Sequence, residues 1–298
     1  MIRKHITRPV KSWVKEKIKS TYIEIETSRN KDKGKSFENV IYFPHLQNSN
    51  SYSIPNKKES LDVCELGLPI PPKDLWLGYG SETKVYLYGK KQIEVMIEII
   101  KKSGFDLNDQ KRILDFGCGA GRMIRWLKPY AEKCEIWGTD ISSEHIYWAN
   151  QYLRPPFNFA TTTTIPHLPF EDRYFDLIYA GSVFSHIDDL TDAWLLELRR
   201  MLSVNGLLYI TINDKHSIEL LKNSHHYNKL WLSGFISEHP LFIETKNDFG
   251  MIVGNRGPGS QVFYDIDFFC ESVKTFYEIL AVKKEAYGFQ TGILLKKK

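Results

Sequence analysis

The sequence predicts an α/β fold: a doubly wound, mostly parallel sheet finished by an antiparallel hairpin. Three observations predict it. From residue 111 short apolar runs alternate with amphipathic helical segments, the pattern of right-handed β–α–β crossovers. The run Ile113-Leu114-Asp115-Phe116 leads straight into glycines at 117, 119 and 121, a strand, a tight turn and a helix start. The chain closes with two apolar runs, Ala281–Tyr287 and Thr291–Leu295, separated by Gly288-Phe289-Gln290.

Composition bounds the reading. A chain of 298 residues, 42% hydrophobic and 13% aromatic, holds one large α/β domain with an appendage or two small domains. No apolar run approaches the ~20 residues that span a bilayer. The first residues are basic, but no apolar core or cleavage site follows them, so they are not read as a secretory signal. Cys64, Cys118, Cys134 and Cys270 are scattered, which argues against a zinc site and a disulfide framework; no metal is expected, and a reduced, cytoplasmic setting is. In residues 1–36, 11 Lys/Arg stand against 4 Asp/Glu, leaving 29 against 32 in the remainder. The main domain is therefore close to neutral, and broad nucleic-acid binding by it is not indicated.

Taken in order, residues 1–70 read as a basic N-terminal extension of one helix plus loops. Val10, Trp13, Val14, Ile18 and Tyr22 fall at helical spacing with lysines between them. Such a helix can lie on an anionic membrane surface or a partner, or pack on its own domain. Residues 71–298 form the main domain. Ile93, Met96, Ile97 and Ile100 define a helix ended by Gly104. Strand one is expected at 111–116 with a helix at 120–131, and strand two at 134–139 with a helix capped by Ser142 or Ser143. Pro155 and Pro156 stop that helix. Further strands are expected at 158–162, 174–180 and 207–212, with a helix through Ala193 to Leu202 between the last two. Residues 213–262 interrupt the alternation over the ligand edge of the sheet, where a substrate cap would sit. A last helix at 268–280 precedes the hairpin.

The turn after strand one carries the chemistry. A dinucleotide fold wants Gly-x-Gly-x-x-Gly around a pyrophosphate. Here the third glycine comes one position early and Arg122 stands where that pattern needs glycine. Asp115 would repel a pyrophosphate and suits a ligand bearing an ammonium or sulfonium group. Asp140, about 20 residues on at the end of strand two, can accept ribose hydroxyls or assist a helix dipole.

The segment from Asp115 to Gly121 resembles the first motif, Asp-x-Gly-x-Gly-x-Gly, of the class I S-adenosylmethionine-dependent methyltransferases. The passage Leu168-Pro169-Phe170 through Phe175-Asp176-Leu177-Ile178 is similar to a second passage of that family. The resemblance covers roughly residues 70–298. It implies a seven-stranded Rossmann-like methyltransferase fold with S-adenosylmethionine as cofactor. It implies that Gly117 and Gly119 lie against the methionine part, with Cys118 and Gly121 completing the turn. Asp115 would then act on the amino group and sulfonium, and Asp140 on the adenosine ribose with Ile141 beside the adenine. Many relatives have an acidic residue where Thr164 stands here, so the adenine contact passes to Thr164 or to the backbone at Ile165. Residues ahead of the glycine turn often border the site in this family, which makes Tyr79 and Gly89 candidates.

After strand four, Gly181-Ser182-Val183-Phe184-Ser185-His186 lacks the Asn/Asp-Pro-Pro-Tyr sequence of enzymes that methylate amino groups of DNA bases. Gly181 is expected beside the cofactor. His186 is the candidate general base for a hydroxyl acceptor, or else a loop histidine bonded to backbone. The expected activity is methyl transfer to a small-molecule or glycan/lipid-linked acceptor at oxygen, with DNA not a partner. The alternatives are a cofactor-binding regulatory protein without turnover, and an enzyme recruited to a membrane surface or RNA through residues 1–36.

Overall fold

The computed structural model describes residues 62–298 apart from 77–81, 109, 246–247 and 258. The expectations for residues 1–61, including the basic helix, and for Tyr79 lie outside the described residues. The helices are α1 (Thr83–Leu87), α2 (Gly89–Lys102), α3 (Ser143–Tyr152), α4 (Thr191–Met201), α5 (Lys215–Asn223), α6 (Trp231–Glu238), α7 (Pro240–Glu244) and α8 (Ile266–Val273). The strands are β1 (Arg112–Phe116), β2 (Glu135–Asp140), β3 (Asn158–Thr161), β4 (Phe175–Ala180), β5 (Leu202–Asp214), β6 (Met251–Gly254), β7 (Gln261–Tyr264), β8 (Tyr277–Tyr287) and β9 (Gln290–Lys297).

Alternation along β1 sets the layers. Ile113 joins an apolar cluster with Ile93, Met96 and Ile100 of α2 and Ile146 of α3, whereas Leu114 and Phe116 join another with Trp194 and Leu198 of α4. Both faces of the sheet are covered, as a parallel sheet requires. Cys64, Leu68 and Ile70 belong to the first cluster, so residues just ahead of position 71 pack into the same core.

β1 pairs in parallel with β2 on one side and β4 on the other, β3 flanks β2, and β5 flanks β4. β9 runs antiparallel between β5 and β8. These seven strands are the sheet the sequence predicts. The structure adds two more. β5 continues to Asp214, far enough for Asn213 and Asp214 to pair in parallel with Phe263 and Tyr264 of β7, and β6 pairs antiparallel with β7. Both extra strands come from in or beside the 213–262 insertion, whose polar loops hid their short apolar runs.

Two further boundaries differ. In place of a helix at 120–131 there are turns and a 3-10 helix at Ile124–Tyr130. The fully buried Arg125 donates from Nε to the Gly121 carbonyl (2.8 Å) and from Nη2 to that of Ala120 (3.2 Å), taking acceptors an α-helix would use. Pro129 removes a donor further on. The last helix ends at Val273, not 280. Tyr277 already pairs with Lys297, and its buried hydroxyl donates to the Leu195 carbonyl at 2.8 Å, which fixes the start of β8.

Candidate functional site

The strand order reverses between β1 and β4, and the loops after both strands meet there. Ligands bind at such a switch point, outside the carboxyl ends of the strands. A crevice with a cavity volume of about 60 Å³ opens at this place. Its walls include Asp115, Gly117, Cys118, Gly119 and Gly181, five of the residues the sequence singles out.

The glycine turn is held by backbone geometry. Gly117 has φ +78°, and a Cβ there would come within 2.3 Å of Val183 Cγ2. Gly119 has φ +53°, yet a Cβ there would meet only His145 Nδ1 at 4.0 Å. The turn is therefore tight at 117 and bare toward the crevice at 119. Gly121 (φ +78°) closes the turn against Leu153.

Asp140 is built into the same turn. Its Oδ2 accepts the Gly119 N–H and its Oδ1 the Ser142 N–H, each at 2.8 Å. Each carboxylate oxygen keeps further acceptor capacity. The buried His145, one turn into α3, places Nδ1 3.9 Å from Asp140 Oδ1.

Asp115 differs from Asp140. It is only 1% exposed, and its Oδ2 has no hydrogen-bond partner. Burial raises its pKa to about 7, and the charge of Asp140 pushes the same way; Tyr179, its β4 neighbour in register, and Arg122 oppose the rise. Burial, then the charges of Asp115 and Asp140, push the Cys118 thiol up, so it is not a nucleophile here.

The structure also brings in Tyr86, Arg122, Met123, His145 and Tyr287, which sequence reasoning did not place at the site. Arg122 is buried, and its Nη2 bonds Gln92 Oε1 of α2 and the Tyr287 hydroxyl of β8. Gly89 accommodates the Arg122 backbone, since a Cβ there would lie 2.5 Å from the Arg122 carbonyl oxygen. The signal for Arg122 was its replacement of glycine in a dinucleotide pattern. Tyr287 carried no local signal, because β9 brings it to the site from the end of the chain.

Other expected residues lie apart from the crevice walls. Ile141 (54% exposed) and Ile165 (66%) are solvent-facing, and Thr164 is exposed. The Ile165 N–H donates to Thr163 Oγ1 (3.2 Å) and its carbonyl accepts from His167 N (2.7 Å). His186 is exposed on the loop after Gly181, with Nδ1 3.0 Å from the Ser260 carbonyl. Gln261 Nε2, an amide donor, lies 3.3 Å from the same Nδ1, so the ring sits between an acceptor and a donor.

Residues 114–210 match a family model described as a methyltransferase domain. Demethylmenaquinone methyltransferase of Thermotoga maritima is 31% identical over 134 residues, 45% of this chain and 52% of that protein. An uncharacterized methyltransferase of Schizosaccharomyces pombe is 28% identical over 137 residues, 43% of this chain and 46% of that protein. The chain thus spans about half the length of these relatives. The PH0226 protein from Pyrococcus horikoshii OT3 shares the fold, with 17% identity and a TM-score of 0.50 over 75% of this chain and 95% of that one. S-adenosylmethionine is the cofactor that the resemblance of Asp115 to Gly121 implies. The residues fit it: an orphaned buried carboxylate oxygen suits a cation, and the bare wall at Gly119 suits close backbone approach.

Among the described residues no helix is long and apolar enough to cross a membrane.

Proposed function

We propose that this chain transfers a methyl group from S-adenosylmethionine to a small-molecule or glycan/lipid-linked acceptor, at oxygen. The observation that carries the reading is the pair of carboxylates flanking the bare Gly119 backbone: Asp115 with an unpartnered buried oxygen, and Asp140 locked by two amides. The bound cofactor supplies a methyl group on a sulfonium that is already a good leaving group. The protein's part is alignment and exclusion of water.

In this reading Asp115 balances the positive charge, Gly117 and Gly119 support the methionine part, and Asp140 turns its remaining acceptor capacity to the ribose. The exposed side chains of Ile141 and Ile165 offer apolar contact to the adenine. With the Ile165 amide given to Thr163, that contact replaces a backbone hydrogen bond there. His186 takes the proton of an acceptor hydroxyl. The absence of the base-amine sequence after β4 supports oxygen, and the Thermotoga relative, named for demethylmenaquinone, supports a small-molecule acceptor. The 213–262 insertion is the proposed acceptor cap.

Calorimetric titration with S-adenosylhomocysteine tests the site. The wild type binds it, and Asp140→Ala weakens binding by about tenfold or more, which is ~1.4 kcal/mol. No binding by the wild type sinks the reading, and unchanged affinity in the variant removes Asp140 from it. Cofactor binding with no labelled product from methyl-labelled S-adenosylmethionine in cell extracts would favour a regulatory protein without turnover.

A further inference from the structure

We propose that the insertion carries a docking surface for an anionic phospholipid bilayer, centred on the exposed pair Leu230-Trp231 at the start of α6. None of its residues is among the crevice walls, and the inference does not depend on what the crevice holds.

Large apolar side chains stand in solvent here. Leu230, Trp231, Leu241 and Ile243 are all exposed, Trp231 by 66% and Ile243 by 58%. The insertion's small core takes the other faces of the same two helices, through Leu232, Ile236 and Phe242. Rings join α6 to α7: Trp231 stands 6.0 Å from Phe235, and Phe235 stands 6.0 Å from Phe242, the residue between Leu241 and Ile243. A single exposed leucine is ordinary on a protein surface. Four such side chains on two joined helices mark a place that a partner covers.

The charges beside them say which partner. Between Glu219 and Glu238 the chain has no carboxylate, while Lys222, His225, His226 and Lys229 all fall there and are exposed. Neither Lys222 nor Lys229 meets a carboxylate among the described residues, so both ammonium groups are open to a phosphate. Glu238 and Glu244 end α6 and α7, which centres the contact on the Lys229–Trp231 end. An anionic lipid surface attracts lysines that come within a Debye length of it. Tryptophan suits the boundary itself, because its ring is apolar and its N–H seeks a headgroup or water. An acidic protein surface would satisfy the lysines alone, whereas a bilayer also buries Leu230 and Trp231 beneath its headgroups. Since no described helix can cross a membrane, the contact is made from one side.

Sedimentation of the full chain with vesicles of equal parts phosphatidylglycerol and phosphatidylcholine tests the surface. The wild type should bind them, bind pure phosphatidylcholine far less, and be released by salt. Trp231→Ser should lower the partition coefficient by about tenfold and Lys229→Gln by about fivefold. Residues 1–36 are themselves basic, so the bound fraction alone does not locate the contact. Phosphatidylcholine brominated along its acyl chains does, because bromine quenches only the indoles that reach it. Trp231→Phe keeps an apolar ring and should bind within about twofold of the wild type, yet lose part of the quenching that the wild type shows. The same variant serves should Trp231→Ser lose its cooperative thermal transition. A wild type that stays free of the vesicles overturns the proposal, as does quenching that Trp231→Phe leaves unaltered. Unchanged binding by Trp231→Ser overturns it too, and leaves the exposed side chains to a protein partner.

Discussion

The glycine turn after β1 and the insertion at 213–262 are both loop-rich, yet they are built on opposite terms. In the turn, Gly117 and Gly121 have positive φ and are walled in by Val183 and Leu153, while Asp140 ties the Gly119 amide. In the insertion, Gly250 and Gly254 are packed against the rings of Phe268 and Phe235, but Gly234, Gly257 and Gly259 have nothing within 4 Å of where a Cβ would lie. The insertion has a small core of its own, with Ile218, Leu221, Leu232, Ile236 and Phe242, and leaves Trp231 66% exposed. The difference teaches that the turn is fixed by strain and close neighbours at Gly117 and Gly121 while Gly119 is left open, whereas the insertion is held by the packing of its side chains.

The sharpest way to break this comparison is to add one methyl group in the turn. Gly117→Ala meets both a left-handed backbone and Val183 Cγ2 at 2.3 Å. Strain of ~1–2 kcal/mol and overpacking of ~1–3 kcal/mol put its cost at up to ~5 kcal/mol in chemical unfolding. Gly119→Ala carries the strain without the clash, about 1–2 kcal/mol, and its methyl projects into the crevice. It should lose S-adenosylhomocysteine binding far beyond its loss of stability. If both variants lose stability equally and Gly119→Ala still binds, Gly119 is not the wall that faces the ligand.

That contrast also explains what the sequence disclosed. The first strand, its acidic residue and the glycines are local signals, because the turn needs those residue types at those positions, and they stand together at the crevice. The layering was legible for the same reason: alternation through Ile113, Leu114 and Phe116 assigns each to its cluster. The helix expected at 120–131 failed because Arg125 takes carbonyls through its side chain, an act that hydrophobic spacing does not encode. Tyr86 and Tyr287 reach the crevice from elements far apart in the chain, so no window of sequence joins them. His186 was legible as a residue near β4, but its bond to Ser260 depends on how the insertion returns.

A second prediction sharpens the comparison by charge. Asp115 has its pKa raised from 3.8 to about 7, chiefly by burial. The unfolded carboxyl therefore ionises first as pH rises, while the folded one stays protonated. Stability contributed by this group is fully present below pH 3.8, falls as pH rises through the window up to about 7, and levels off above it. Linkage sets an upper bound of ~4 kcal/mol on the fall. Asp115→Asn removes the ionisation, so the wild type should lose thermal stability relative to the variant between acid and neutral pH. Parallel melting-temperature profiles for the two proteins would show that Asp115 is not a buried acid, and the crevice would lose its orphaned charge. No comparable group is shifted in the described part of the insertion, where Tyr227 is raised by burial but titrates only at alkaline pH.

The smallest expected effect tests the other side of the comparison. Gly234 lies in α6 with an exposed position, no positive φ and open space around it. A glycine in a helix gives the unfolded chain freedom that folding must remove, and alanine removes part of it beforehand. Gly234→Ala should therefore stabilise the protein by about 0.5–1 kcal/mol in chemical unfolding, with S-adenosylhomocysteine affinity unchanged. The gain is small because α6 has eight residues and draws most of its stability from Leu232 and Ile236 in the insertion's own core. A stabilised variant with unaltered affinity means that the insertion folds without being tuned to the cofactor. A loss of affinity would instead couple α6 to the glycine turn and remove the distinction between the two regions.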